Sequence, residues 1–303
     1  MMAEPTELVF GDVTVALTHT DRVVFPDAGI TKGEVIGYYA AVADLMVPEL
    51  RDRALSMERF TKSIEGGGFM QKHAQKHYPA WIARAELGTK KVVEYPICNS
   101  PAALVYFANQ GGVAFHIGTS HATRPHHPDE IVFDLDPPDD QSFELVRQVA
   151  RILHDLLDEL GVPAFVKTTG AKGLHVVVPT DGRSTYDDVR ELVGGIASRI
   201  CDRHRAIVTT EFYKKDRKGR LFFDTGRNIE GATFVAPYSL RPRPGAPISA
   251  PLTWAELEDP ALLPDSIRLR DLEARRAAIG DPWSSFRAHP ASVKVAITKL
   301  RAL

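Results

Sequence analysis

The sequence predicts an α+β (mixed α/β) fold, with central mixed or antiparallel sheets flanked by helices. Two long amphipathic stretches alternate with short apolar runs, in the order strand, helix, strand, strand, helix, strand, strand. Several of the links between runs are too short for a crossover helix, so they imply antiparallel hairpins rather than a purely parallel sheet.

Taken in order, Leu8 to Phe10 and Val13 to Leu17 read as a short strand-like lead. Thr31 is placed to cap a helix reaching about Leu50, with Val35, Tyr38, Tyr39, Val42 and Leu45 on one face. A glycine-marked stretch, Gly66-Gly67-Gly68, leads into Phe69-Met70-Gln71-Lys72-His73. Glu130 to Asp136 reads as a buried strand that stops at Pro137-Pro138. From about Ser142 to Leu160 the apolar residues Leu145, Val149, Ile152, Leu153, Leu156, Leu157 and Leu160 keep helical spacing, and Gly161 stands where a C-terminal cap belongs. Pro163 to Lys167 and Leu174 to Pro179 are two further strands, followed by a helix over about Tyr186 to His204. Val208 to Phe212 and Leu221 to Asp224 read as a strand pair joined by a basic turn, Lys214 to Arg220. After Pro237 the prolines at 242, 244, 247 and 251 suggest a chain that wraps the surface. A helical stretch over about Pro264 to Ala278 and an unplaced tail complete it. The expected organisation is one catalytic domain over 1–303, with an N-terminal subregion (1–110), a catalytic core (111–260) and a helical tail (261–303).

At 303 residues with 44% hydrophobic and 25% charged content, the chain is an ordinary globular composition. A net charge of -2 neither announces nor excludes a nucleic-acid partner, because basic groups can gather on one face. Carboxylates crowd Asp129 to Asp140, while Lys214, Lys215, Arg217, Lys218 and Arg220 form a basic run. Two cysteines, Cys98 and Cys201, cannot build a disulfide framework or a four-thiolate zinc site and fit a reducing cytosol. With no signal-like N-terminus and no membrane-length apolar run, a cytoplasmic protein is expected.

Chemistry concentrates at strand ends. Residues two apart on a strand share a face, so Asp134 and Asp136 set two carboxylates about 6 to 7 Å apart at the end of an apolar strand. Such a pair calls for a cation, and Mg²⁺ or Mn²⁺ takes oxygen ligands of this kind. The plain alternative is a solvated strand end or a cap for the next helix. Asp224 ends another apolar strand and makes a third candidate metal carboxylate. Lys167 to His175, with Thr169, Gly170, Lys172, Gly173 and His175, has the small residues and donors of a phosphate-binding turn, though it lacks P-loop spacing and also reads as a simple hairpin turn. Arg241 is a candidate for pairing with a triphosphate. The basic turn at 214–220 either contacts nucleic-acid phosphates or is solvated. His116 is placed near the active site. The pair His73 and His77 lacks the glutamate of a zinc-protease motif, and His116, His121, His126 and His127 have no cysteine company.

In order and spacing, the chain resembles the polymerase domain of bacterial ligase D and its stand-alone relatives, in the archaeo-eukaryotic primase superfamily. The marks run over about residues 12 to 260. They are Asp21-Arg22-Val23-Val24-Phe25-Pro26 with Thr31-Lys32, Phe69 to His73, Phe133 to Pro137, Thr169 to His175, Phe223-Asp224, Ala236 to Arg241 and Thr253 to Leu257. The resemblance implies a primase-polymerase, a nucleotidyltransferase that extends a primer with NTPs or dNTPs using a two-metal Mn²⁺ or Mg²⁺ site. By the same match Asp134, Asp136 and Asp224 are the catalytic and metal carboxylates. Thr169, Lys172, Gly173, His175 and Arg241 grip the nucleotide, with His116 and Lys72 close by. Phe69 and Met70 stack on the template at a gap, Met70 standing where a second aromatic is usual. Arg22 and Lys32 hold the 5′-phosphate beyond the gap, Arg22 standing where lysine is usual.

The expected function is gap filling in DNA repair, by excision repair or end joining, on gapped or broken DNA with a 5′-phosphate. No K-x-D-G nucleotidylation motif occurs, so a separate DNA ligase is an expected partner, along with Ku; a bacterial, nucleoid-associated monomer is the accompanying expectation. De novo priming is the variant reading. A non-catalytic DNA-end-binding module and a metal-dependent nuclease are the readings from other classes.

Overall fold

The structure is a computed structural model that describes residues 6–88, 92–138 and 143–303. The expected helix start at Ser142, and the acidic Asp139 and Asp140 before it, lie outside the described residues.

In chain order the elements begin with β1 (Glu7–Phe10), β2 (Val13–Ala16), β3 (Val23–Phe25), β4 (Ile30–Thr31), α1 (Lys32–Ala41) and α2 (Ala43–Leu50). Then come β5 (Leu55–Arg59), β6 (Phe69–Gln71), β7 (Arg84–Leu87), β8 (Val93–Pro96), α3 (Pro101–Asn109) and β9 (Gly112–Ile117). The middle forms β10 (Glu130–Asp136), α4 (Phe143–Glu159), β11 (Phe165–Thr168), β12 (Leu174–Pro179) and α5 (Tyr186–Arg203). The remainder forms β13 (Val208–Thr209), α6 (Lys214–Arg217), β14 (Leu221–Asp224), β15 (Phe234–Val235), β16 (Pro251–Leu252), α7 (Leu272–Ile279) and α8 (Val293–Ala302).

The chain divides into two compact units, each assembled from three stretches. The first takes residues 1–118, 233–249 and 267–275; the second takes 119–232, 250–266 and 276–303.

The first unit is built on a sheet ordered β15-β9-β5-β6. Helices α1, α2 and α3 pack against one another, and α3 also packs on β9. Thr31 does cap α1, in a reciprocal box with Glu34. The expected single helix to Leu50 is instead two, broken at Val42. The segment expected to wrap the surface is buried here from Gly245 to Ser249. Its polar backbone is satisfied inside: Arg241 N–H donates to Pro247 O, and Ile248 N–H to Ile267 O. Prolines that lack a donor are easily accommodated there.

The second unit is built on a six-stranded sheet ordered β13-β14-β10-β12-β11-β16. Its central strand β10 is buried and matches the expected bounds, as does β12. Helix α4 covers β10 and β12, burying Val149, Leu153, Leu156 and Leu157, and Gly161 takes φ +66° after its end. The hairpin expected between 208–212 and 221–224 is not formed. β13 is short and lies parallel to β14, because α6 fills the link and changes the chain direction. The unplaced tail packs as α8 against α5. Among the described residues no helix is long and apolar enough to cross a membrane.

Candidate active site

Within the second unit, the sheet register gathers the predicted carboxylates. Asp134 lies opposite Asp224 across β10 and β14, and opposite His175 across β10 and β12. Asp136 follows two residues on, on the same face as Asp134. Gly173 closes the turn beside this strand end: a Cβ there would lie 2.0 Å from Leu135 O, so only glycine fits. The turn is tied by Thr169 N–H to Gly173 O at 3.0 Å and by Thr169 Oγ1, which accepts from Gly173 N–H at 3.2 Å. Thr169 and His175 are buried, and Lys172 projects from the same turn with an exposed side chain.

Each carboxylate meets a cation or an imidazole of the chain. Nε2 of His175 lies 3.4 Å from Asp134 Oδ1, and Nε of Arg227 lies 3.2 Å from Asp134 Oδ2. A second nitrogen of Arg227 is 3.7 Å from Asp224 Oδ2. Arg217 reaches Asp136 Oδ2 at 3.1 Å. Asp224 Oδ1 also accepts from Gly226 N–H at 2.7 Å. Among the described residues no three His, Cys, Asp or Glu side chains converge as a ready-made metal cage.

The titration of these groups follows from burial and charge. Burial and the charge of Lys167 push His175 down to about 4, so it is an uncharged imidazole at neutral pH. Burial opposes ionisation of Asp134, but His175 and then Arg227 outweigh it and hold the carboxyl at about 2. Asp224 is raised, first by burial and then by the charges of Asp134 and Asp136, against Gly226 N–H and Arg227. Asp224 is thus close enough to Asp134 and Asp136 to be repelled by both.

Three residues of this region escaped the sequence reading. Lys167 is fully buried on β11 opposite His175. Arg217 was one of five cations in a basic run, with nothing to mark it as the one folded inward. Arg227 stands three residues after Asp224, a spacing that could have drawn attention to it.

The remaining predicted residues belong to the first unit. Lys32 is only 3% exposed. Its ammonium donates to Thr18 O, to Thr18 Oγ1 and to Asn109 Oδ1, and burial together with the charge of Arg22 lowers it to about 8. Arg22 donates to Thr61 O. Phe69 and Met70 are about half exposed on β6, the edge strand of their sheet, with the Arg59 guanidinium 5.6 Å from the Phe69 ring centre. Lys72 is exposed just beyond that strand. His116 lies on β9 opposite Ser56 and Val235. Arg241 is held by a stapled backbone: Ser239 Oγ accepts from Phe115 N–H at 2.8 Å, and Leu240 N–H donates to Tyr39 Oη at 3.0 Å. Tyr238 takes φ +64° within that staple, a strained conformation for a bulky residue that the surrounding hydrogen bonds must hold.

Residues 31–283 match the family described as LigD, primase-polymerase domain. The multifunctional non-homologous end joining DNA repair protein LigD of Mycobacterium tuberculosis is 34% identical over 257 residues, covering 82% of this chain and 34% of that protein. The bifunctional non-homologous end joining protein LigD of Bacillus subtilis is 29% identical over 274 residues, covering 90% of this chain and 44% of its own length. The chain therefore spans less than half the length of these relatives. Among solved structures, the polymerase domain of Mycobacterium tuberculosis ligase D in complex with DNA superposes with a TM-score of 0.85 at 31% identity, over 91% of this chain and 99% of that one. By match length, by identity and by the superposed fold, the chain belongs to the LigD primase-polymerase domain family.

Proposed function

We propose that this chain is a template-dependent nucleotidyltransferase that extends a primer 3′-end with NTPs or dNTPs at gapped or broken DNA, in end-joining repair. The single observation that carries the reading is the register that sets Asp134 against both Asp224 and His175, with Asp136 on the same face. A nuclease would share the carboxylates but has no use for a triphosphate grip. The relatives of Mycobacterium tuberculosis and Bacillus subtilis are non-homologous end joining proteins, which supports the repair setting.

The donor set suits hard divalent cations, because the repulsion of Asp224 by Asp134 and Asp136 is relieved by a centre of positive charge. Asp134, Asp136 and Asp224 would hold Mn²⁺ or Mg²⁺, which when bound activates the primer hydroxyl and neutralises charge on the leaving pyrophosphate. The chain's own groups do the positioning. Lys172 and Arg241 offset triphosphate charge, with Lys72 and His116 beside the nucleotide. Thr169 and Gly173 keep the turn in shape, and neutral His175 holds Asp134 without adding charge. No covalent protein nucleophile is needed, since phosphoryl transfer asks mainly for orientation and electrostatics. Arg22 and Lys32 are the proposed 5′-phosphate holders, and Phe69 and Met70 the template-stacking pair. A separate DNA ligase and Ku are the proposed partners.

Primer extension on a gapped duplex with and without a 5′-phosphate, beside a bare single-stranded template, tests the assignment. Extension stimulated by the 5′-phosphate is the expected result. Dinucleotide synthesis on bare template without a primer would instead make the chain a de novo primase, and strand loss without incorporation would make it a nuclease.

A further inference from the structure

Arg227 stands between two carboxylates that nucleotidyl transfer needs, within ion-pair distance of Asp134 and Asp224. Its backbone is fixed. Gly226 N–H is bonded to Asp224 Oδ1, and the buried side chain of Asn228 brackets β10, accepting from Val132 N–H at 2.8 Å and donating to Val132 O at 2.7 Å. The same amide also donates to Thr225 O at 3.0 Å. The Arg227 side chain, by contrast, is 41% exposed.

Arg217 makes the comparison sharp. Its side chain is only 10% exposed; it donates to Glu211 O and Phe212 O and stacks 4.0 Å from the Phe222 ring centre. Arg217 is a clamped cation; Arg227 is one open to solvent.

A divalent cation accepted by Asp134 and Asp224 would face the Arg227 guanidinium as a like charge at short range, in partly buried surroundings where screening is weak. The two cannot share those oxygens. A nucleoside triphosphate arriving with the metal brings several negative charges and acceptor oxygens, and a guanidinium pairs with phosphate well. The turn proposed to cradle those phosphates abuts β10 at Leu135, between Asp134 and Asp136.

We propose that Arg227 is an exchangeable counter-cation, paired with Asp134 and Asp224 until a divalent cation displaces it, and then paired with the phosphates of the incoming nucleoside triphosphate. The proposal rests on the nucleotidyl-transfer reading.

Its test compares wild type with Arg227→Ala, Arg227→Gln and Arg227→Lys. Mn²⁺ binding without nucleotide is followed by the electron paramagnetic resonance of the free ion, and binding of ATP at saturating Mn²⁺ by calorimetry. Loss of the guanidinium is expected to tighten Mn²⁺ binding about tenfold and to weaken ATP binding about tenfold, with Arg227→Lys between. The opposite signs are the signature. Unchanged or weaker Mn²⁺ binding in both Arg227→Ala and Arg227→Gln would overturn the proposal, as would tighter Mn²⁺ binding with unaltered ATP affinity. Neither readout requires turnover. A wild-type protein that binds Mn²⁺ and ATP but extends no primer would therefore sink the polymerase reading while the exchange is still judged.

Discussion

Lys32 and His175 are both buried cationic residue types, and burial lowers both, with different consequences. His175 falls to about 4 and acts as a neutral contact for Asp134 across the physiological range. Lys32 falls only to about 8, from burial and the neighbouring Arg22, so its charge is present below that pH and lost above it. A 5′-phosphate held by Lys32 should lose its advantage as pH rises through about 8; extension of gapped DNA with and without the phosphate, from pH 7 to 9, measures the ratio. A ratio constant across that range would remove Lys32 from the phosphate site. Because the unfolded lysine keeps its proton to higher pH, folding stability contributed by this residue rises with pH between about 8 and the ordinary lysine range. The sequence showed a lysine after a helix cap, but not that Thr18 and Asn109 would accept its hydrogen bonds.

Among the elements, β10 and β12 were fully legible, because a continuous apolar run ending in prolines or a turn leaves few alternatives. The β13–β14 link was not. A run of five cations reads as a phosphate contact or a solvated turn, yet one of them, Arg217, folds inward onto Asp136 and Phe222, a choice made by tertiary contacts that local propensity does not encode. Asn228 was equally silent in the sequence, although its amide ties the turn after β14 to Val132. Asn228→Ala strands a buried peptide N–H and C=O of β10 and should cost about 2 to 4 kcal/mol, measured by urea denaturation. A loss under about 0.5 kcal/mol, the scatter of surface substitutions, would show that the bracket does not hold the strand.

For the molecule as a whole, the two units interleave along the chain, so neither is a contiguous stretch. The tail that the sequence left unplaced is part of the second unit. Trp283 stacks on Phe286 at 4.7 Å and donates from its indole to Val166 O at 3.1 Å. Arg287 pairs with Asp129 and with buried Glu130, and α8 lies along α5. Short aromatic anchors in a turn-rich segment have no periodicity to read, so only the fold reveals them. Deletion of residues 276–303 should speed hydrogen exchange of β11 and α5 amides while leaving β5 and β9 protected; uniform exchange in both units would show that the tail is not specific to one.

Asp224→Asn isolates the third strand-end carboxylate. The amide preserves shape and can keep the Gly226 contact, while removing a carboxyl that burial, Asp134 and Asp136 disfavour. The variant should melt at the same or a higher temperature than wild type and lose nucleotide incorporation on gapped DNA by at least about 100-fold. Incorporation at the wild-type rate in that variant would contradict a nucleotidyl-transfer site built on Asp134, Asp136 and Asp224.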